Sequence, residues 1–141
     1  MFAPLSDRFI PGTQAALRIA AGTAFFTHGP QKLLGWFGGG DPVALVSLYG
    51  AAGVLETVVG LLIIVGFSTR LLAFIAAGEM AVAYLWVHTM SNGSIFWWQN
   101  RGELPLLYCF IFLALAAWGA GPLSVDAALA ARRSRPSAGA R

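Results

Sequence analysis

Apolar residues fall in four long runs, separated by short stretches rich in glycine, proline and polar residues. The runs cover about 12–34, 42–67, 71–89 and 104–118. A helix crossing the hydrocarbon core of a bilayer needs about 20 mostly apolar residues. Each run therefore predicts a transmembrane helix, the fourth on the short side. Phe67-Ser68-Thr69-Arg70 leaves room only for a tight reversal, so the second and third helices must form an antiparallel hairpin. The breaks at 36–42 and 91–102 carry the glycine and proline that loops require. The expected fold is an all-α membrane protein, an antiparallel four-transmembrane-helix bundle over residues 1–126. A basic tail, 127–141, follows. Within 124–133 the sequence reads as a short surface helix, with Ser124 placed to cap it and arginines at its C-terminal end. Beyond Arg133 the Ser, Pro, Ala, Gly and Arg composition favours disorder.

Composition agrees with a membrane setting. Apolar residues make up 57% and charged residues 11%, against about 25% charged in soluble domains. Mean hydropathy is +0.70. A cleaved signal peptide is not expected in the first run, because Asp7 precedes it and Arg18 interrupts it. Net charge is +3, but four of the nine basic residues sit in the last ten positions and form no stripe among exposed aromatics. Nucleic acid is thus not an expected partner; anionic lipid headgroups are. Arg8, Arg70, Arg132, Arg133, Arg135 and Arg141 fall on one side of a four-span chain, with Arg18 close by, and Lys32 and Arg101 on the other. The positive-inside rule puts both termini in the cytoplasm. Cys109 is the lone cysteine, which excludes an internal disulfide and a Cys-x-x-Cys redox pair.

The ionisable residues inside the runs point to a site. A charge at the bilayer centre costs about 2.5–3.5 kcal/mol on insertion scales, so such residues pair, face protein or do chemistry. His28 and His88 lie near the outer ends of the first and third helices. Lys32 follows one turn beyond His28, and Glu103 opens the fourth helix after Trp97, Trp98, Asn100 and Arg101. These residues converge in depth on one outer rim. Glu56 and Glu79 lie deeper. Glu79 matches Arg18 in depth, and an Arg18–Glu79 ion pair is expected. Glu56 has no evident partner. It shares a face with Gly53 and Gly60, where a neighbouring helix can come close. Glu56 is then either a hydrogen-bonding group across a helix interface or, with Glu79, part of a proton relay.

Two histidines at one depth can hold haem as axial ligands, or a metal together with Glu103. Any four-helix protein with two histidines offers that much, and neither haem nor metal is expected. A quinone needs a flat apolar slot with a donor near each carbonyl. His28, His88 and Lys32 can donate, Glu103 can exchange a proton, and Lys32 or Arg101 can attract an anionic reductant. Trp97 and Trp98 either anchor the chain at the membrane surface or wall the slot. Gly38-Gly39-Gly40 lacks the Gly-Lys-Ser/Thr ending of a phosphate loop.

Several landmarks together are distinctive. His28-Gly29-Pro30-Gln31-Lys32-Leu33-Leu34-Gly35 resembles the His-Gly-x-x-Lys-Leu-x-Gly signature that ends the first helix of the DoxX family. Glu56, Gly60, Gly66 and Thr69-Arg70 look like its second helix and hairpin. His88, Asn100-x-Gly102-Glu103 and Gly119-x-Gly121-Pro122-Leu123-Ser124-Val125-Asp126 are similar to its later landmarks. The resemblance covers about residues 12–127. It implies a four-helix protein of the bacterial inner membrane, with His28, Lys32, Glu56, Arg70, His88 and Glu103 as motif positions. The family takes its name from the membrane subunit of a thiosulfate:quinone oxidoreductase. Other members are tied to oxidative and thiol stress, one in a membrane complex with a superoxide dismutase and a sulfurtransferase. The leading expectation is a membrane subunit of a quinone-linked redox system, with quinone as cofactor and soluble redox proteins, the bilayer or further copies of the chain as partners. A non-catalytic scaffold for soluble redox enzymes is the rival reading, and a small transporter using Glu56 and Glu79 is a third.

Overall fold

The computed structural model describes residues 9–134, and every regular element among them is helical. Asp7, Arg8, Arg135 and Arg141, and the disorder expected at the end of the tail, lie outside these residues. Helix α1 spans Ile10–Leu34 and stops at Gly35, whose φ of 67° only glycine adopts readily. Helix α2 spans Leu48–Val65. It begins six residues later than the apolar run, because Pro42 and the turn closed by Ser47 keep the backbone out of helix. Ser47 Oγ then caps it, accepting the Gly50 N–H at 3.0 Å. After a reversal of three residues, α3 covers Thr69–Val82 and runs on into a wider π-helical segment, Ala83–Met90. Helices α4 (Trp97–Asn100), α5 (Glu103–Trp118) and α6 (Val125–Arg133) complete the chain. Ser124 Oγ caps α6 by accepting the Ala127 N–H at 3.1 Å, as the sequence predicts.

Helices α1 and α2 pack antiparallel in a register set by glycines. Gly22 lies against Ile63 and Ile64, Phe26 against Gly60, and Gly29 against Gly53 and Thr57. A Cβ at Gly60 would sit 2.8 Å from the Phe26 backbone, and one at Gly29 only 2.6 Å from the Gly53 carbonyl. Such small-residue seams let two backbones approach where water supplies no driving force. Helix α5 pairs antiparallel with α3, which buries Ala73, Ala76 and Ala77. The two pairs join through Phe25, Ile63, Met80 and Phe112, with the Phe25 and Phe112 rings edge to face at 4.8 Å. Leu61, Phe74, Leu85, Trp86 and Phe110 point outward and are each more than half exposed. Apolar cover on that scale suits hydrocarbon and not water. Leu48–Val65 and Thr69–Met90 are long and apolar enough to cross a membrane.

One end of the helices is closed by arginines. Arg18 is 1% exposed, and it does not meet Glu79. The expected Arg18–Glu79 pair is replaced by bonds to backbone. The guanidinium donates to the carbonyls of Ile63 at 2.8 Å, Ile64, Ala120 at 3.1 Å and Leu123 at 2.5 Å. Matching depth on two helices fixes no azimuth, and the open carbonyls ending α2 are electronegative and nearer. Arg70 does the same for α5, donating to Ala116, Ala117 and Trp118. Asp126 accepts the Ser68 and Thr69 N–H groups at 2.7 and 2.9 Å, so α6 caps the start of α3.

Candidate functional site

The opposite end, where α1 and α3 finish and α2 and α5 begin, holds a cavity of about 220 Å³. It lies between the α1–α2 and α3–α5 pairs. His28, Lys32, Glu56, Glu79, His88 and Tyr108 line it with an apolar majority that includes Ala52, Met80, Ala83 and Val87. An apolar cavity of about 150 Å³ already accommodates benzene, so this one takes a single substituted ring. Leu48, Tyr49, Val82 and Leu104 also line it and are each about half exposed, which opens it sideways between helices.

Glu56 does have a partner, contrary to the expectation from sequence. Lys32 Nζ lies 2.5 Å from both carboxylate oxygens, with Glu56 3% and Lys32 26% exposed. The glycine seam produces this pair. With Gly53 facing Leu33 and Lys32, the next turn of α2 presents Glu56 to the lysine. Lys32 thus neutralises a buried carboxylate.

Each histidine is held through Nδ1. His88 Nδ1 lies 3.1 Å from the Asn100 carbonyl, which can only accept, so Nδ1 carries the proton. Asn100 is itself fully buried. Its side chain donates to the Ser94 carbonyl at 3.0 Å and accepts the Gly102 N–H at 2.7 Å. A Cβ at Gly102 would lie 2.7 Å from the Tyr84 ring, so this corner admits only glycine. His28 Nδ1 meets Gln31 Oε1 at 2.9 Å. Gln31 Nε2 donates to the Phe37 carbonyl at 3.0 Å, which turns Oε1 toward the ring and makes His28 Nδ1 a donor as well. Among the described residues no hydrogen bond reaches either Nε2.

Glu79 contributes two buried carboxylate oxygens that have no hydrogen-bond partner among the described residues. Tyr108 presents its ring edge-on to His28, 6.1 Å between centroids. Sequence reasoning did not single out Tyr108, Gln31 or the π-helical segment; only the fold brings them to the cavity. The remaining expected site residues stand apart from it. Trp97 and Trp98 are exposed on α4, Trp98 stacked on Phe96 and edge-on to Trp97, and Arg101 and Glu103 are exposed at the turn into α5. None of the four lines the cavity. Among the described residues no cluster of three or more His, Cys, Asp or Glu is set to hold a metal ion.

A sequence model of the DoxX family matches residues 13–89, from the first turn of α1 to the His88 segment. The chain belongs to the DoxX family. This DoxX protein is also 40% identical over 129 residues to a protein of Haemophilus influenzae named only as uncharacterized, covering 85% of this chain and 92% of that relative. No solved structure matches it. Family membership and the apolar helices make it a membrane protein in contact with the lipid bilayer. His28, Gly29, Lys32, Glu56 and Gly60, all inside the matched segment, are the residues that build the seam and the cavity.

Proposed function

We propose that this DoxX protein spans the bacterial inner membrane four times, with both termini in the cytoplasm, and holds the ring of a lipid-soluble quinone couple in its cavity. It would act as the membrane subunit of a quinone-linked redox system serving sulfur or oxidative-stress chemistry, with a soluble protein exchanging the electrons. One observation carries the reading: a ring-sized, largely apolar cavity that opens sideways and concentrates two oriented histidines, the Lys32–Glu56 pair, Glu79 and Tyr108. A water-borne substrate needs no lateral, apolar entrance; a ligand dissolved in lipid does. Helix lengths support the topology. At about 1.5 Å per residue, α1 extends about 37 Å and α5 about 24 Å, enough with flanking residues for a core of about 30 Å. Glu79 takes the proton-exchanging place first given to Glu103, since Glu79 lines the cavity and Glu103 does not. Trp97 and Trp98 serve as surface anchors.

The test is the quinone content of protein purified gently with its native lipid, read by mass spectrometry. Near-stoichiometric quinone in the wild type, reduced at least tenfold in His28→Ala and His88→Ala, is the expected result. Protein with no quinone, and none bound when micromolar quinone is added, would sink the reading.

A further inference from the structure

We infer that the cavity selects the reduced, hydroxyl-bearing ring, a quinol, over the corresponding quinone; this rests on the reading above and adds which redox form the site is built for. The argument is a count of donors and acceptors. A quinone ring offers two carbonyl acceptors and no donor. A quinol offers two O–H donors. The cavity must supply the opposite of what its ligand carries, because a buried polar atom left unpaired costs about 1–3 kcal/mol.

The fixed polar atoms of the cavity are mostly acceptors. His88 Nδ1 is committed to the Asn100 carbonyl and His28 Nδ1 to Gln31 Oε1. In a neutral imidazole whose Nδ1 donates, Nε2 is the accepting lone pair. Both histidines therefore keep an acceptor for the ligand. Glu79 adds two buried oxygens that no described residue engages; it keeps an accepting oxygen in either protonation state and has an O–H to donate only when protonated. The strongest donor, Lys32 Nζ, is drawn to Glu56 by two contacts of 2.5 Å. The Tyr49 and Tyr108 hydroxyls, which also line the cavity, can turn either way. A quinone thus brings acceptors to the two Nε2 lone pairs and the Glu79 carboxylate, whereas a quinol brings them a donor. The partner of His88 Nδ1 is a backbone carbonyl, so no rotamer change of a neighbouring side chain reverses that tautomer.

The experiment uses the full chain in lipid nanodiscs and three ligands with the same short-chain ring: the ubiquinol, the ubiquinone and the quinol dimethyl ether. The ether keeps the reduced ring and both oxygens and lacks only the O–H groups. Quinol should bind at least ten times more tightly than quinone, and the ether should bind no better than quinone. A tenfold preference corresponds to about 30 mV of upward shift in the potential of the bound two-electron couple, readable by redox titration. Glu79→Gln, which turns one acceptor into a donor, should narrow the gap between quinol and quinone at least threefold. Quinone binding as tightly as quinol, or the ether matching quinol, would overturn the selectivity while leaving the quinone site standing. If none of the three binds, the quinone reading itself fails.

Discussion

Lys32 and Glu56 show how one contact changes the meaning of two residues. Read along the chain, Lys32 is a cation free to attract a substrate and Glu56 a lone buried carboxylate. In the fold they neutralise each other at 2.5 Å. Breaking a buried pair by removing one partner leaves an uncompensated charge and costs about 3–5 kcal/mol, whereas replacing both with apolar groups is often close to neutral. Lys32→Met alone and Glu56→Leu alone should therefore each lower the thermal midpoint strongly in detergent. The double variant should recover most of the loss. Thermal unfolding of the three variants checks this, and strictly additive losses would show that the two side chains do not depend on each other.

Helix pairing rests on which glycines face a neighbour. Gly29 has no room, since an added Cβ would meet the Gly53 carbonyl at 2.6 Å and Thr57 N at 2.7 Å. Gly78 on α3 has nothing within 4 Å. Overpacking costs about 1–3 kcal/mol where neighbours can shift, and at Gly29 the obstacles are backbone. Gly29→Ala should destabilise by at least that much, separating α1 from α2 and moving Lys32 off Glu56. Gly78→Ala should be neutral or stabilising, since alanine gains up to about 1 kcal/mol over glycine within a helix. Paired melting curves decide it, and equal effects would remove the seam as the cause. Gly53 and Gly60 were legible from their spacing with Glu56, but the α1 residues they meet, Gly29 and Phe26, were not, because a one-helix pattern does not name the facing helix. The π-helical widening at Ala83–Met90 had no signal at all in an apolar run with ordinary helix formers.

At the scale of the molecule, two ends differ in kind. Arginines bonded to backbone carbonyls and an aspartate cap lock one end, while the other leaves the cavity between two helix pairs. The locked end carries Arg18, Arg70, Arg132 and Arg133, and the proposed topology, which follows the positive-inside rule, turns it to the cytoplasm. With Cys109 replaced, single cysteines at the exposed positions Asp41 and Ser134 report the topology. A membrane-impermeant maleimide should label Asp41→Cys from the periplasmic side of intact spheroplasts and reach Ser134→Cys only after lysis. The reverse pattern would turn the protein over and put the cavity on the cytoplasmic side.

The sequence by itself determined the long helices, their approximate ends, the tight α2–α3 hairpin, the Ser124 cap and the family, though not the short α4 inside the 91–102 break. These depend on composition, periodicity and local turn chemistry, which a linear chain displays. It also placed His28, Lys32 and His88 at one end, because depth along a helix follows from residue number. Only the tertiary structure decided who meets whom. Arg18 went to carbonyls and not to Glu79, Lys32 went to Glu56, and Glu79 and Tyr108 joined the cavity in place of Glu103 and the tryptophans. Depth is set by rise along one helix axis. Contact also needs the rotation of each helix about its axis, and that is fixed by packing between helices, at glycines whose partners lie tens of residues away.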